Sequence, residues 1–437
     1  MSRREFSSLS PVTDLHATVS VPGSKSLTNR ALLVAALSQG RSRLTRVLLA
    51  DDTRRMLEAL SLLEIGLETD ESAGTVTVEG RGGALGGDGA TLDIGNAGTA
   101  MRFLLAALAA TPGRRRLTGN ARMCERPIAS LVDALRSLGA SIQHEGRSGC
   151  PPLLIDGRNL DGGSVTLQAS TSSQFLSALL LAGPLFSLGI SIRPTDLVSR
   201  PYVDLTTELM RSFGVEVTES EGVFIVPGGS RYTACNHEIE GDASSASYFL
   251  AAAAIAGGRV EVGGVGTSSS QGDARFAGVL EKMGCTVEMH PHRVVVTRTG
   301  RLHGVDVDMN AMPDVAVTLA PVAACAEGTT VVRNVANLRV KESDRIAAVC
   351  TELGRCGIAA EATPDGFVIH GGTPHAAAFE TYDDHRIAMA FSLIGLVARG
   401  VRVLDPGCVA KTFPGYFDRL LEVVATGRPR PGLRERP

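Results

Sequence analysis

The chain has 437 residues, more than the roughly 250–300 that one hydrophobic core usually supports, so its length predicts two domains. A net charge of −3, an aromatic content of 4% and the absence of Trp argue against nucleic acid as the main partner. Eight scattered cysteines without a CxxC pair, and histidines without an HxxxH pattern, favour a reduced, cytoplasmic protein without a metal site. No apolar run reaches the roughly 20 residues of a membrane-spanning helix.

The first predicted strand, LHATVSVPG, leads into a helix that starts with charged and hydroxyl side chains. Residues 21–38 read VPGSKSLTNRALLVAALS, which resembles a phosphate loop but lacks its G-x-x-x-x-G-K-[ST] spacing. A helix N-terminus offers unpaired N–H groups and a partial positive charge. The stretch therefore predicts an anion site built on a helix start and not a nucleotide loop.

The rest of the chain repeats two kinds of helix. Six apolar helices open with small or polar residues, at KSLTNRALLVAAL, GTAMRFLLAAL, SSQFLSALLLA, SSASYFLAAAA, PDVAVTLAPVAACA and DHRIAMAFSLIGLVA. Between them lie amphipathic helices that run through a glycine into a strand, and we expect that glycine to be the left-handed residue after the helix. These glycines are Gly66, Gly139, Gly214, Gly284 and Gly357. A last amphipathic helix, YFDRLLEVV, closes the chain.

The repeat predicts an α/β fold of six βαβαββ units, three in each domain. The apolar helices consist mainly of Ala, Leu, Ser and Gly, which indicates burial on every side, while the amphipathic helices and the sheets lie outside. We expect one domain at 24–241 and the other at 1–23 with 242–437, the first strand joining the second of them. The tail TGRPRPGLRERP is predicted to fray.

Charged and polar side chains gather at helix starts and at loops after strands. Taken singly they have simpler interpretations: Ser172 and Ser173 as helix caps, the run from Lys341 to Arg345 as surface ion pairs, and His385 as a helix-terminal histidine. Their shared placement at equivalent ends of repeated units, in an acidic protein, instead indicates a site for a small molecule with several negative charges.

Eight motifs in order carry a resemblance. GSKSLTNRALL, GNAGTAMR, ERPI, SSQFLSALL, LVSRPYVD, RVKESDR, DDHRIAMA and CVAKTFP closely resemble the motifs of the 5-enolpyruvylshikimate-3-phosphate synthase family. The resemblance implies an inverse α/β barrel in each domain. It also implies transfer of the enolpyruvyl group of phosphoenolpyruvate to the 5-hydroxyl of shikimate 3-phosphate, with release of phosphate, on the way to chorismate and the aromatic amino acids.

The resemblance also implies the site residues. The first domain mainly binds shikimate 3-phosphate and the second completes the phosphoenolpyruvate site. Shikimate 3-phosphate is expected at Lys25, Ser26, Arg30, Ser172, Ser173, Gln174, Ser199, Tyr202, Asp314, Asn337 and Lys341. Phosphoenolpyruvate is expected at Lys25, Gly98, Arg126, Gln174, Arg345, Arg386 and Lys411.

The implied chemistry is addition and elimination through a tetrahedral intermediate. Asp314 is the candidate base at the 5-hydroxyl, and Lys25 and Glu342 are the candidates for moving the other proton. No metal or organic cofactor is expected, and the protein is expected to be a monomer. The inhibitor glyphosate, which occupies the phosphoenolpyruvate site in this family, is expected to meet Gly98.

Two residues depart from the family pattern beside the expected phosphoenolpyruvate site. Phe103 stands where many members carry Pro, and Cys124 stands where a basic residue is common. Cys124 also bears on one alternative, the related enolpyruvyl transferase for UDP-N-acetylglucosamine, which usually uses a loop cysteine. A second alternative is a non-catalytic anion-binding protein on the same fold. The SSQF, VSRPY and KESDR motifs favour shikimate 3-phosphate over the UDP-sugar. The candidates for base, acid and anion-binding residues argue against a non-catalytic protein.

Overall fold

The structure, a computed structural model, describes residues 5–7 and 9–430. It contains two compact units, Gly23–Glu240 on one side of the division and Met1–Pro22 with Gly241–Pro437 on the other. Residues 1–4, 8 and 431–437 lie outside the described residues. They belong to the second predicted domain and include the end of the predicted frayed tail. In the described part of the chain no helix has both the length and the apolar character that crossing a membrane requires.

The described residues form twelve α-helices. They are α1 (Lys25–Leu37), α2 (Asp51–Leu62), α3 (Gly98–Ala109), α4 (Ala129–Ser137), α5 (Gln174–Ala182), α6 (Pro201–Ser212), α7 (Ala243–Ala256), α8 (Phe276–Lys282), α9 (Ala316–Ala324), α10 (Arg345–Arg355), α11 (His385–Ser392) and α12 (Tyr416–Val424).

The strands are short and numerous. They are β1 (Glu5–Phe6), β2 (Val12–Thr13), β3 (Leu15–Ser20), β4 (Gln39–Thr45), β5 (Gly66–Asp70), β6 (Thr75–Arg81), β7 (Thr91–Asp93), β8 (Gly113–Thr118), β9 (Ser141–His144), β10 (Leu153–Gly157), β11 (Gly163–Gln168), β12 (Gly189–Thr195), β13 (Thr218–Ser220), β14 (Val223–Pro227), β15 (Asn236–Glu238), β16 (Gly258–Gly263), β17 (Thr286–His290), β18 (Arg293–Arg298), β19 (Asp306–Asp308), β20 (Thr329–Arg333), β21 (Ala359–Thr363), β22 (Gly366–His370), β23 (Ala378–Phe379), β24 (Arg402–Leu404) and β25 (Arg428–Pro429).

The unit Gly23–Glu240 repeats one sheet pattern three times. Its sheets have the strand orders β15-β4-β6-β5, β7-β8-β10-β9 and β11-β12-β14-β13. In each sheet the first pair is parallel and the other two pairs are antiparallel. A parallel pair needs a helical crossover, whereas the antiparallel pair at the other edge closes through a hairpin. The second and third sheets match the βαβαββ unit predicted from the repeat, whereas in the first sheet β15, from the end of the unit, takes the place of the first strand.

The other unit has the same pattern twice and an incomplete third copy. Its complete sheets have the orders β3-β16-β18-β17 and β19-β20-β22-β21, while the third is the three-stranded sheet β1-β24-β23. The prediction of six complete βαβαββ units is therefore wrong for the last copy, because the described chain contains no hairpin after α12. Strand β1, from the start of the chain, pairs antiparallel with β24 in its place.

Two strands lie far along the sequence from the helices of their own sheets. Strand β3, the first predicted strand, pairs parallel with β16 of the C-terminal part of the chain. Strand β15 pairs parallel with β4 and so completes the first sheet of Gly23–Glu240. Strand β3 therefore reaches its unit from before the inserted Gly23–Glu240, whereas β15 comes from the far end of its own unit.

The two predicted kinds of helix differ clearly in burial. Every residue of α3, α7, α9 and α11 is buried, and the hydrophobic core of each unit includes residues of these apolar helices. In α1 and α5 the residues that are not buried all lie in the first turn: Lys25, Ser26 and Gln174. The amphipathic helices bury one stripe, as in α2, where Met56, Ala59 and Leu60 are buried.

One predicted helix end is displaced. Gly139, Gly214, Gly284 and Gly357 have positive φ as expected, but after α2 the left-handed residue is Glu64, with φ 63°. Its N–H bonds the carbonyl of Ser61, as the N–H of Gly139 bonds that of Arg136. Gly66 instead lies in β5, where an added Cβ would stand 3.1 Å from the Cβ of Glu79.

The predicted frayed tail is partly ordered. Strand β25 pairs antiparallel with β2, and the N–H of Arg430 donates to the carbonyl of Pro11 at 3.1 Å. These backbone hydrogen bonds hold the described end of the chain against its beginning, which the Pro- and Arg-rich composition did not predict.

Candidate active site

In Gly23–Glu240 the apolar helices α1, α3 and α5 start at the same end of the unit. The Nε2 of Gln174, the first residue of α5, donates to the Oγ1 of Thr99 in the first turn of α3 at 3.2 Å. The guanidinium of Arg30 in α1 donates to the Oγ of Ser177 in α5 at 3.5 Å. Three helix N-termini side by side create a region of positive potential that suits an anion.

Arg30 is a buried cation whose partners are neutral. Its Nε donates to Thr206 Oγ1 at 2.8 Å, and its other nitrogens donate to the carbonyls of Ser26 and Tyr202. Within the described residues none of its hydrogen-bond partners is a carboxylate. Burial lowers the pKa of Arg30 to about 10, which indicates that its charge is poorly compensated by the protein.

Phe103, one of the two departures from the family pattern, lies against Arg30. The centre of its ring is 5.0 Å from the guanidinium carbon, and the ring is completely buried. An aromatic face attracts a cation, so Phe103 supports Arg30 without neutralising it. Cys124, the other departure, is half-buried, and its Sγ contacts the carbonyl of Gly119 at 3.6 Å.

Two further cations lie at the starts of α1 and α3. The Nζ of Lys25 is 3.5 Å from the Oδ2 of Asp52, which is itself buried. Arg126 donates to the side-chain and main-chain oxygens of Asn96, at 3.1 and 3.3 Å. Gly98 directly faces this arginine, since an added Cβ would stand 2.6 Å from the Nη2 of Arg126.

The remaining predicted residues of this unit lie at the starts of α5 and α6. Ser172 Oγ accepts a hydrogen bond from the N–H of Gln174, and Ser173 is buried. Ser199 has a positive φ of 54°, a conformation that is uncommon for residues other than glycine and often marks a functional turn. Tyr202, in the first turn of α6, supplies the carbonyl that Arg30 contacts.

In the unit that contains Gly241–Pro437, α7, α9 and α11 also start together. Ser247 Oγ in α7 is 2.9 Å from Thr318 Oγ1 in α9, and Arg386 Nη2 in α11 donates to Ser244 Oγ in α7 at 3.2 Å. The first turns of these three helices therefore form a second set of converging N-termini.

Asp314 lies among three cations in this second set. Its Oδ1 is 3.0 Å from Arg345 Nη1 and 3.8 Å from Lys341 Nζ, and its Oδ2 is 2.9 Å from Arg386 Nη2. It is mostly buried, in the 3₁₀ turn Pro313–Val315 that precedes α9. The structure thus brings together the candidate base and three of the predicted substrate-binding cations.

Arg345 binds three carboxylates and is almost completely buried. Its Nε and Nη2 bind both oxygens of Asp384, at 2.8 and 3.1 Å, and its Nη2 also binds Glu342 at 2.9 Å. Burial alone would lower its pKa, but the carboxylates of Asp384, Glu342 and Asp314 outweigh that effect and raise it above the usual value. Arg345 is therefore a fixed cation in a paired network, unlike Arg30.

Glu342 connects this network to Lys411. Its Oε1 is 3.8 Å from Lys411 Nζ, which lies at the end of the 3₁₀ turn Pro406–Lys411. Asn337 is buried in the 3₁₀ turn Ala336–Val340 that precedes Lys341. The interpretation of Lys341 to Arg345 as ordinary surface ion pairs is wrong, because Glu342 and Arg345 are buried.

Sequence reasoning missed four buried polar residues that hold the predicted ones: Asp52, Ser244, Asp273 and Asp384. Ser244 had a detectable signal, because it is the polar second residue of an apolar helix, as Ser26 and Thr99 are. Asp384 caps the start of α11 by accepting from the N–H of Arg386, which a residue before a helix can be expected to do. Asp52 and Asp273 had no signal that separates them from surface acids.

The described residues contain no group of three or more His, Cys, Asp and Glu side chains that could hold a metal ion. Both sets bring cations and hydroxyl groups to helix starts, and these groups suit the phosphate and carboxylate groups of a substrate.

Comparison with known proteins shows which family the chain is similar to. The sequence profile of the family described as EPSP synthase (3-phosphoshikimate 1-carboxyvinyltransferase) matches residues 9–420. The 3-phosphoshikimate 1-carboxyvinyltransferase of Xenorhabdus nematophila is 50% identical over 94% of this chain and 97% of its own. The enzyme of the same name from Photobacterium profundum is 49% identical over 96% of this chain and 99% of its own.

Solved structures give the same result. An EPSP synthase from Acinetobacter baumannii superimposes with a TM-score of 0.81 at 30% identity, over 96% of this chain and 98% of that one. The prediction of an α/β protein with two domains is thereby confirmed. By sequence profile, by relatives and by structure, the chain belongs to the EPSP synthase family.

Proposed function

We propose that this protein transfers the enolpyruvyl group of phosphoenolpyruvate to the 5-hydroxyl of shikimate 3-phosphate and releases phosphate, in the pathway to chorismate and the aromatic amino acids. The family membership supports this reaction, and the single structural observation that carries it is Asp314. A carboxylate beside Lys341, Arg345 and Arg386 combines a base with cations for anionic substrates. The UDP-N-acetylglucosamine enolpyruvyl transferase is not favoured, since the relatives cited above are shikimate enzymes.

Shikimate 3-phosphate is assigned to the residues around Arg30. Since Arg30 is buried without a carboxylate partner, an added phosphate would compensate its charge. Hydroxyl and amide groups at the helix starts would bind the ring substituents. The proposed residues are Lys25, Ser26, Arg30, Ser172, Ser173, Gln174, Ser199, Tyr202, Asp314, Asn337 and Lys341.

Phosphoenolpyruvate is assigned to the other cations. The proposed residues are Lys25, Gly98, Arg126, Gln174, Arg345, Arg386 and Lys411. Arg126 and Arg386 each have a fixed orientation, the first through Asn96 and the second through Asp314 and Ser244. A guanidinium held in one orientation can bind a carboxylate or phosphate through two parallel hydrogen bonds.

The proposed chemistry proceeds in two steps. In the addition, Asp314 removes the proton of the 5-hydroxyl, the oxygen bonds to the carbon of phosphoenolpyruvate that carries the phosphate, and the methylene carbon receives a proton. In the elimination, the resulting methyl group loses a proton and phosphate leaves. Lys25 and Glu342 both stay candidates for moving the carbon-bound proton, Lys25 beside Asp52 and Glu342 beside Lys411.

We further infer that each unit is an inverse α/β barrel, with apolar helices at its centre and sheets outside. The complete burial of α3, α7, α9 and α11 supports this arrangement.

We also propose that the protein is a cytoplasmic monomer. All eight cysteines are free thiols, which suits a reducing compartment.

Phosphate release tests the proposed function directly. We expect the purified protein to release phosphate from phosphoenolpyruvate when shikimate 3-phosphate is present, and not when UDP-N-acetylglucosamine replaces it. Release with the UDP-sugar alone would identify the alternative transferase. Binding of shikimate 3-phosphate without release under any condition would identify a non-catalytic anion-binding protein.

We predict that Gly98→Ala weakens inhibition by glyphosate more than it weakens use of phosphoenolpyruvate. The added methyl group would press on Arg126, whose guanidinium must shift because a contact of 2.6 Å is too close. Overpacking costs on the order of 1–3 kcal/mol, which corresponds to roughly 5- to 150-fold in affinity, and the longer inhibitor should be crowded more. Inhibition constants for the natural protein and the variant, each compared with KM for phosphoenolpyruvate, measure this effect. Two inhibition constants within about twofold of each other would show that Gly98 does not line the site.

A further inference from the structure

A short segment after β16 is bonded to the first turn of α7. Gln271 donates through Nε2 to the carbonyl of Gly241 at 2.7 Å and accepts through Oε1 from the N–H of Ala243 at 3.2 Å. Two residues later, Asp273 Oδ2 accepts a hydrogen bond from Ser244 Oγ. Asp273 is 4% exposed and lies in the 3₁₀ turn Gly272–Arg275.

Ser244 connects this segment to Arg386. Its O–H donates to Asp273, which leaves its lone pairs free to accept from the Nη2 of Arg386 at 3.2 Å. The same Nη2 donates to Asp314 Oδ2 at 2.9 Å. A guanidinium Nη2 carries two N–H groups, so one can donate to Ser244 Oγ and the other to Asp314 Oδ2.

The direction of these bonds depends on Asp273. A serine hydroxyl can rotate, so it can either donate to a neighbour or accept from it. A partner that cannot donate fixes the direction of the hydroxyl proton. An ionised carboxylate is such a partner, so Asp273 turns the Ser244 oxygen towards Arg386 as an acceptor. Tyr248, one turn further along α7, also lies near Arg386, and burial raises the pKa of this tyrosine to about 12.

We propose that Asp273 is a positioning residue of the enzyme, which acts through Ser244 to fix the guanidinium of Arg386 in the orientation that binds phosphoenolpyruvate. Neither residue was assigned a role by the motif resemblance. The inference rests on the proposed function, in which Arg386 binds this substrate. It requires no contact of Asp273 itself with either substrate.

Steady-state kinetics of Ser244→Ala, Asp273→Ala and the double variant test this chain of contacts. We expect each single variant to raise KM for phosphoenolpyruvate by about tenfold, since a hydrogen bond to a charged group is lost or misdirected. KM for shikimate 3-phosphate should rise by less, about twofold at most, because most of its proposed residues, Arg30 and its partners among them, lie on other elements. The double variant should lose little more than Ser244→Ala alone, because the Ser244 hydroxyl carries the hydrogen-bonded route from Asp273 to Arg386, beside the direct attraction of their charges.

Two further variants separate positioning from a general effect on folding. Asp273→Asn keeps an acceptor oxygen and should recover most of the lost affinity for phosphoenolpyruvate. Ser247→Ala removes a buried hydroxyl that bonds Thr318 and the main-chain carbonyl of Ser244, leaves the Ser244 hydroxyl in place, and should leave both KM values unchanged. Equal rises of KM for both substrates, multiplicative effects in the double variant, or no effect of Asp273→Ala would each overturn the proposal.

Crystal structures of the same variants give a readout that does not depend on activity. We expect the Arg386 guanidinium to leave its position or adopt several conformers in Ser244→Ala and Asp273→Ala, and to keep one conformer in Ser247→Ala. An unchanged Arg386 in both test variants would contradict the inference even in an active enzyme. If the natural protein transfers no enolpyruvyl group, the proposed function fails, while these structures still decide whether Asp273 positions Arg386.

Discussion

Asp314→Asn should reduce kcat by at least ~10²-fold while shikimate 3-phosphate still binds. The substitution keeps the size of the side chain but removes the group that takes the 5-hydroxyl proton. It also places an amide, with one donating end, where the carboxylate now accepts from both Arg345 and Arg386. Turnover by the purified variant, together with calorimetric titration of shikimate 3-phosphate, measures the two parts of the prediction.

Asp306→Asn provides a matched control for this variant. Asp306 lies in β19 of the same unit, is half-exposed and pairs with Arg333 at 2.8 Å. An exposed ion pair contributes only about 0–1 kcal/mol, so turnover should stay within about twofold of the natural protein. Near-normal turnover in Asp314→Asn would show that Asp314 is not the base, regardless of the turnover of Asp306→Asn.

Arg345→Met should destabilise the folded protein by about 3–5 kcal/mol, because it leaves buried carboxylates without their cation. Asp384 is completely buried and Glu342 nearly so, and both bind the guanidinium directly. Methionine has a similar length but supplies no charge and no hydrogen bond. Urea unfolding followed by circular dichroism would measure the loss, and the variant should also lose activity because Arg345 contacts Asp314.

Two other variants sharpen this prediction. Arg333→Met removes an arginine whose ion pair with Asp306 is about half exposed, and should cost at most about 1 kcal/mol. Arg345→Lys keeps the charge but cannot bind both oxygens of Asp384, so its stability should lie between those of the natural protein and Arg345→Met. If Arg345→Met unfolds as the natural protein does, the carboxylates around Arg345 are compensated by other groups.

Arg345, which is paired with carboxylates, and Arg30, which has neutral partners, illustrate two uses of a buried arginine. Arg345 is neutralised by carboxylates and holds the shape of its site. Arg30 has only neutral partners, and its lowered pKa shows that burial opposes its charge. A ligand phosphate would gain more from Arg30, because no protein carboxylate competes for it.

The sequence by itself determined the repeat and the kinds of helix in it. Apolar helices of Ala and Leu can only be stable when buried, and four of five predicted helix ends carry the glycine in the left-handed conformation. These are local properties, which depend on residues a few positions apart. The exception, Glu64, arose because a residue other than glycine took the same turn and the glycine two positions later began a strand.

The charged partners of the site were decided only by the tertiary structure. Arg30 and Thr206 are 176 positions apart in the sequence, and Arg386 and Ser244 are 142 apart. No local pattern distinguishes Asp52 or Asp273 from an acid on the surface, because burial and pairing depend on which helix starts converge. The same reason explains β1, which completes the last sheet from the opposite end of the chain. The sequence thus specified which elements form, whereas contacts between distant segments specified which charges are paired and which of them the substrates can use.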